Sequence, residues 1–254
     1  MSLPPYSLKA IFGGTFDPPH LGHLRPLLSL LDTLNLDHCD IVPSHIPVHK
    51  QTQTAAAHRL KMCGYFAQAD SRLQVNDIEI KHDRPSFSSN TLAELAQTHP
   101  NTSICFILGL DAFLGLASWH KSEVLFKQCH FIVMMRDEDS DLANELTGDG
   151  YSDASIGVNS SSLRYLPASL QALLPETIYL CAEQGQKAQN QHINGILRAS
   201  KHGEVVFFMN KVHEVSSTQV RHALARGDSI KHYLLPEVAD YIQEHSIYKT
   251  KAED

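Results

Sequence analysis

The chain has 254 residues, 43% hydrophobic and 19% charged, with 21 Lys and Arg against 28 Asp and Glu for a net charge of −7. That length suits a single domain, 1–254, or one domain carrying an insertion, and apolar runs such as Ile104–Leu108 and Phe131–Met135 fall far short of the ~20 residues that cross a bilayer. No secretory leader is legible at the N-terminus and no Lys/Arg cluster offers itself to nucleic acid, so the expectation is a cytoplasmic protein with neither a membrane nor a nucleic-acid partner, in which any anionic ligand is held locally.

In chain order, short apolar strands alternate with helical patterns, the signature of βαβ units and a parallel sheet. Leu8–Phe12 reads as a strand, and Leu24, Leu27, Leu28, Leu31 and Leu34 recur at helical spacing, predicting an amphipathic helix from His20 to about Leu34. Cys39–Pro43 is the next strand, Ser44–Thr54 a polar loop and Ala55–Ala69 a helix; Leu73–Ile80 alternates as a strand does, and Ser88–Gln97 is helical. Ser103–Leu108 is the most continuous apolar strand, as expected at a sheet centre buried on both faces. Lys121–Lys127 reads as a short helix before the strand Phe131–Met135.

After Arg136 the sequence turns acidic and rich in Ser, Asn and Gly, predicting a polar surface insertion within 137–201. Thr177–Cys181 and Glu204–Phe208 are further candidate strands, and the register of Glu183–Lys201 between them is not readable. Helices close the chain over 217–248, with Ser217–Arg226 ending at Gly227 and Pro236–His245 placing Val238, Tyr241 and Ile242 on one face. The five cysteines are odd in number, spread out and without a C-x-x-C pair, so buried reduced thiols are expected.

The most informative stretch is Gly13-Gly14-Thr15-Phe16-Asp17-Pro18-Pro19-His20-Leu21-Gly22-His23, between the first strand and the first helix. Ligands of open α/β sheets bind at such strand-to-helix loops, where helix-start N–H groups favour phosphate. The stretch is neither a Walker loop nor G-x-G-x-x-G. His20 and His23 lie one turn apart on one helical face, and Gly22 leaves room for a close approach to the backbone. Helix capping and metal ligation are alternative uses of such a pair, but no third ligand is evident nearby. Paired imidazoles can instead hydrogen-bond a phosphoryl oxygen and neutralise charge growing on a bridging oxygen. Far downstream, Ser217 or Thr218 can cap the helix that follows, with Arg221 one turn along to add bidentate phosphate contacts.

These two stretches resemble the paired signatures of the nucleotidyltransferase superfamily, (T/H)xGH in GGTFDPPHLGH and I-S-S-T-x-x-R in Val215-Ser216-Ser217-Thr218-Gln219-Val220-Arg221. Intermediate segments resemble bacterial nicotinate-mononucleotide adenylyltransferases: Pro47-Val48-His49-Lys50 for P-P-H-K, Pro85-Ser86-Phe87-Ser88-Ser89-Asn90-Thr91-Leu92 for P-S-Y-T-x-x-T-L, Gly109-Leu110-Asp111 for G-x-D, then Trp119 and Val133-Met134-Met135-Arg136. The likeness covers Leu8–Arg136 and resumes near Phe207–Tyr248. It departs at Val48 and Ser88, and after Arg136, where the family's proline is missing.

The resemblance implies a doubly wound parallel α/β sheet, Rossmann-like, with a small C-terminal helical part and a surface insertion. It implies an enzyme of NAD biosynthesis that transfers adenylyl from ATP, accompanied by Mg²⁺, to nicotinic acid mononucleotide. His20 and His23 would be catalytic; Gly13, Gly14, Thr15, Phe16, Gly22, Ser217, Thr218 and Arg221 would bind ATP. Lys50, Ser88, Asp111, Trp119, His120 and Arg136 would bind the acceptor, with Trp119 as platform for the pyridine ring and the Ser88 and His120 main chain holding its carboxylate. Asp17 is expected to order its loop rather than hold a metal-bound water. The resemblance leaves room for a homo-oligomer. Competing readings are a related enzyme acting on nicotinamide mononucleotide or pantetheine phosphate, a non-catalytic nucleotide sensor, and a zinc hydrolase built on the two histidines.

Overall fold

Alternate residues of the central strands are buried on opposite faces, which is why their sequences are almost continuously apolar. Ala10 and Phe12 of β1 (Ser7–Gly14) join one core with Cys105 and Ile107 of β6 (Thr102–Gly109). Ile11, Ile104, Phe106 and Leu108 enter the opposite core. A computed structural model of the chain describes residues 6–48, 51–136, 139, 157–158, 166–175, 178–182, 187–210 and 215–248.

The remaining strands are β2 (Cys39–Pro43), β3 (Ile46–Pro47), β4 (Leu73–Val75), β5 (Pro85–Ser86), β7 (His130–Met135), β8 (Gly157–Val158), β9 (Ile178–Ala182) and β10 (Val205–Met209). The main sheet runs β4-β2-β1-β6-β7-β10-β9-β8, with every pairing parallel except the antiparallel edge β8. β3 and β5 form a separate parallel pair. The chain winds outward from β1 through β2 to β4, then crosses back to β6 and on to β7. The strand order therefore reverses between β1 and β6, and the crevice beyond their carboxyl ends is where a doubly wound sheet places its ligand.

Helices cover both faces. α1 (Leu21–Thr33), α2 (Ala56–Gln68), α7 (Lys187–Ala199), α8 (Ser217–Arg226) and α9 (Pro236–Glu244) pack on one core through Leu27, Leu30, Phe66, Leu197, Val220 and Val238. α3 (Ser88–Thr98), α4 (Leu110–Leu114), α5 (Ser122–Leu125) and α6 (Ala168–Gln171) pack on the other through Leu92, Phe113, Leu125 and Leu170. All five cysteines are buried and unpaired, and burial pushes their thiols up, to about 12 for Cys105 and Cys181.

One sequence expectation is corrected here. The strand expected over Leu73–Ile80 stops at Val75, because the Asn76 N–H still reaches Ile41 while the Asn76 side chain accepts from Ile78 N–H at 3.1 Å and turns the chain. Within 137–201, the candidate strand Thr177–Cys181 appears as β9 in the central sheet, and α7 buries Ile193 and Leu197 against the β1 side of the core. Most of the acidic segment lies outside the described residues.

Candidate active site

The loop Thr15–Pro19 leaves β1 at the point where the strand order reverses. Phe16, at φ 52°, turns its ring back over the strand end. The ring is 3% exposed and lies edge-on to Phe12 and His23 at centroid separations of 5.4 and 5.2 Å. A Cβ on Gly14 would stand 2.9 Å from that ring, so the residue under Phe16 has no space for a side chain. Phe16 is therefore a packing residue that braces His23, and what it can offer a ligand is its main chain.

His20 is the N-cap of α1 and His23 its third residue. His20 N–H donates to His23 Nδ1 at 3.3 Å, and the two rings stack at 3.6 Å and 25°. His20 is 3% exposed and its Nδ1 is buried without a hydrogen-bond partner. Burial, and then the positive charge of Arg136, depress its pKa to about 3, so the ring is neutral at physiological pH. Arg136, just past the carboxyl end of β7, is thus within electrostatic reach of His20.

The downstream signature folds onto this loop. Ser217 Oγ donates to the Pro18 carbonyl at 2.9 Å, and Arg221 donates one Nη to the Asp17 carbonyl at 2.7 Å and the other to Thr218 Oγ at 3.1 Å. The close approach that Gly22 permits is made by the same segment, since a Cβ there would stand 2.9 Å from the Val215 carbonyl oxygen. The expectation that Ser217 or Thr218 caps α8 is corrected. Ser216 is the cap, accepting from Gln219 N–H at 3.1 Å while its own N–H donates to the Gln219 side chain at 2.7 Å. The S-x-x-Q spacing selects this reciprocal box, which leaves the Ser217 hydroxyl for Pro18 and the first N–H groups of α8 without helical acceptors.

Asp17, 3% exposed, orders the loop. Its carboxylate accepts from Gln53 N–H at 2.6 Å and from Tyr248 Oη at 2.6 Å. Arg59 on α2, 1% exposed, donates to the carbonyls of Thr15 at 2.8 Å, His45 at 2.9 Å and Thr54 at 3.4 Å. Sequence reasoning missed Arg59, Gln53 and Tyr248. An arginine followed by a buried apolar stripe, Met62, Cys63 and Phe66, was the one available signal for the first.

The residues expected to hold the acceptor gather across the crevice. Ser88 is the first residue of α3, so its N–H is a first-turn donor without a helical acceptor. The Phe87 ring lies 4.4 Å from the His120 ring, joining the Ser88 segment to the Trp119–His120 segment. Trp119, half-buried, meets Phe106 of β6 edge-on at 6.4 Å, and Phe106 packs on Gly13, where a Cβ would stand 3.1 Å from the ring. Asp111 is exposed in the first turn of α4, just beyond the carboxyl end of β6. Lys50 lies outside the described residues.

Two groups of candidate residues thus follow the carboxyl ends of the neighbouring strands β1 and β6. One has two stacked imidazoles, a helix start and Arg221, groups suited to a polyphosphate. The other has an indole face, helix-start N–H groups and an aromatic wall, suited to a flat ring with an anionic substituent. Among the described residues no three His, Cys, Asp or Glu stand close enough to cage a metal ion, and no helix is long and apolar enough to cross a membrane.

The cytidylyltransferase-like family profile matches residues 11–223. A protein of Shewanella sp. (strain MR-7) named probable nicotinate-nucleotide adenylyltransferase is 32% identical over 239 residues, 94% of this chain and 97% of that one. One of Aeromonas hydrophila with the same name is 32% identical over 240 residues, 94% and 96%. The solved structure of Plasmodium falciparum nicotinic acid mononucleotide adenylyltransferase complexed with NaAD superposes with a TM-score of 0.60 at 19% identity, covering 96% of this chain and 98% of that chain, and shares the fold. The chain belongs to the cytidylyltransferase-like nucleotidyltransferase family, among the nicotinate-nucleotide adenylyltransferases.

Proposed function

We propose that the protein transfers the adenylyl group of ATP to the phosphate of nicotinic acid mononucleotide, a step of NAD biosynthesis. An oxygen of the acceptor phosphate attacks the α-phosphorus in line, the bond from that phosphorus to the α–β bridging oxygen breaks, and pyrophosphate leaves with both electrons of that bond. The products are nicotinic acid adenine dinucleotide and pyrophosphate. An ionised phosphate is a nucleophile at neutral pH, so the protein supplies alignment and charge stabilisation rather than a general base.

The observation that carries the reading is the hydrogen bonding of Ser217 and Arg221 to the loop that presents His20 and His23. It supports roles for both histidines at the triphosphate and the charge developing on the bridging oxygen, and for Ser217, Thr218 and Arg221 at the departing pyrophosphate. Mg²⁺ enters as part of the MgATP substrate, held by phosphate oxygens as that ion prefers. On the acceptor side, Trp119 would stack on the pyridine ring, and the Ser88 and His120 N–H groups would favour a carboxylate over a carboxamide, whose NH₂ opposes one donor.

The test is pyrophosphate release from MgATP with nicotinic acid mononucleotide, nicotinamide mononucleotide or pantetheine phosphate. The first should turn over fastest, and His23→Ala should lose about 10²–10³ in kcat while keeping the wild-type circular dichroism spectrum. ATP binding without pyrophosphate release from any acceptor removes the catalytic reading, and faster turnover of either alternative reassigns the acceptor.

A further inference from the structure

Among the described residues, Arg59 is the one arginine in the set of largest fully buried side chains. Taking a guanidinium out of water costs several kcal/mol, and its neighbours on the same helix face, Met62, Cys63 and Phe66, show that packing alone would be served by an apolar residue. Its three hydrogen bonds all go to main-chain carbonyls, and these belong to three different segments: Thr15 in the loop after β1, His45 in the turn between β2 and β3, and Thr54 ahead of α2. The connection continues from there. His45 N–H donates to Ser86 Oγ at 2.8 Å. Ser86 stands two residues before Ser88, where α3 opens, and within α3 Thr91 Oγ donates to the Glu79 carboxylate at 2.8 Å. A chain of hydrogen bonds therefore runs from the loop beside His20, through Arg59 and His45, to Ser86, two residues before Ser88.

Resting on the adenylyl-transfer reading, we infer that Arg59 is a positioning residue: by holding Thr15 with one Nη and His45 with the other, it sets the spacing between the loop that receives ATP and the segment that receives the acceptor. Neither substrate touches it. The reaction is an in-line displacement between two separately bound phosphates, so its rate is sensitive to that spacing, and a misplacement of ~1 Å costs about 10²-fold. A residue of this kind acts on kcat, because each half-site still binds its own ligand when their separation drifts.

Wild type, Arg59→Met, Arg59→Lys and Ser86→Ala are compared in steady-state turnover and in calorimetric titrations with a non-reactive ATP analogue and, separately, with nicotinic acid mononucleotide. The expected result is a loss in kcat of about 10²-fold for Arg59→Met, a smaller loss for Arg59→Lys, and roughly tenfold for Ser86→Ala, which removes one link of the chain. Each single-ligand dissociation constant stays within about threefold of wild type. Unchanged kcat in Ser86→Ala, or affinities that weaken in step with kcat, overturns the inference. If Arg59→Met does not fold, Arg59→Lys and Ser86→Ala carry the same comparison. Hydrogen exchange separates this outcome from failure of the proposed reaction: in Ser86→Ala the amides of 13–17 and of 87–91 should both exchange faster, with or without turnover, and acceleration confined to 87–91 overturns the link.

Discussion

The hydroxyl of Tyr248 donates a 2.6 Å hydrogen bond to Oδ1 of Asp17, tying the turn after α9 to the loop after β1. Burial, and then the Asp17 carboxylate, raise the phenol well above its usual range, so it remains a donor at every physiological pH. A hydrogen bond to a charged acceptor contributes about 1.5–3 kcal/mol. Tyr248→Phe should lower unfolding free energy by about that amount, read from urea midpoints, and should lower pyrophosphate release because Asp17 also holds Gln53 N–H. Wild-type stability in this variant would show that the contact contributes nothing.

Gly22 makes a second test of how the two signatures meet. An alanine there would bring a Cβ to 2.9 Å from the Val215 carbonyl and 3.0 Å from His20 Nδ1, one of them main chain and unable to swing aside. Overpacking of this kind costs ~1–3 kcal/mol. Gly22→Ala should keep the fold yet push the start of α8 away from Pro18 and Asp17, lowering kcat at least tenfold. A variant with normal turnover would show that the rate does not depend on that approach.

The alternation of strands and helices was legible because each central strand is apolar on both faces, and Cys39–Pro43 was placed to the residue. Leu73–Ile80 was overextended, because side-chain capture of Ile78 N–H by Asn76 leaves no trace in the alternation of apolar residues. α7 was unreadable because its buried face is the narrow set Asn190, Ile193 and Leu197 within a polar segment. At the site, both signatures were visible as local patterns, and the Trp119 and Ser88 segments through their resemblance. Arg59 and Tyr248 were not, since the loop contacts they make, to Thr15 and Asp17, lie 44 and 231 residues away and a lone arginine or tyrosine carries no period.

Trp119 packs edge-on against Phe106 and is only half-buried. Stacking an aromatic ring contributes about 0.5–1.5 kcal/mol beyond area burial. Trp119→Ala should therefore raise KM for nicotinic acid mononucleotide about tenfold or more while changing KM for ATP less than twofold. Equal increases for both substrates would make the indole a core anchor rather than an acceptor platform.

The neutral state of His20 has a consequence in pH. Its folded pKa, about 3, lies below the unfolded value of about 6.5, and so does that of His130, lowered to about 4 by burial. A group depressed in this way contributes stability that is present above pH 6.5 and is lost as pH falls toward its folded value, because the unfolded chain binds a proton the folded chain does not. Each such group costs about 1.4 kcal/mol per pH unit inside its window. The two together should lower unfolding free energy by roughly 2–3 kcal/mol between pH 6 and pH 5, and His20→Asn should remove about half of that slope. In the wild type the His20 Cε1–H resonance should stay unshifted from pH 8 to pH 5. A midpoint near 6.5 would mean that the imidazole meets a phosphate already charged in part, and its part in transfer would then be that of a cation rather than a neutral hydrogen-bond donor.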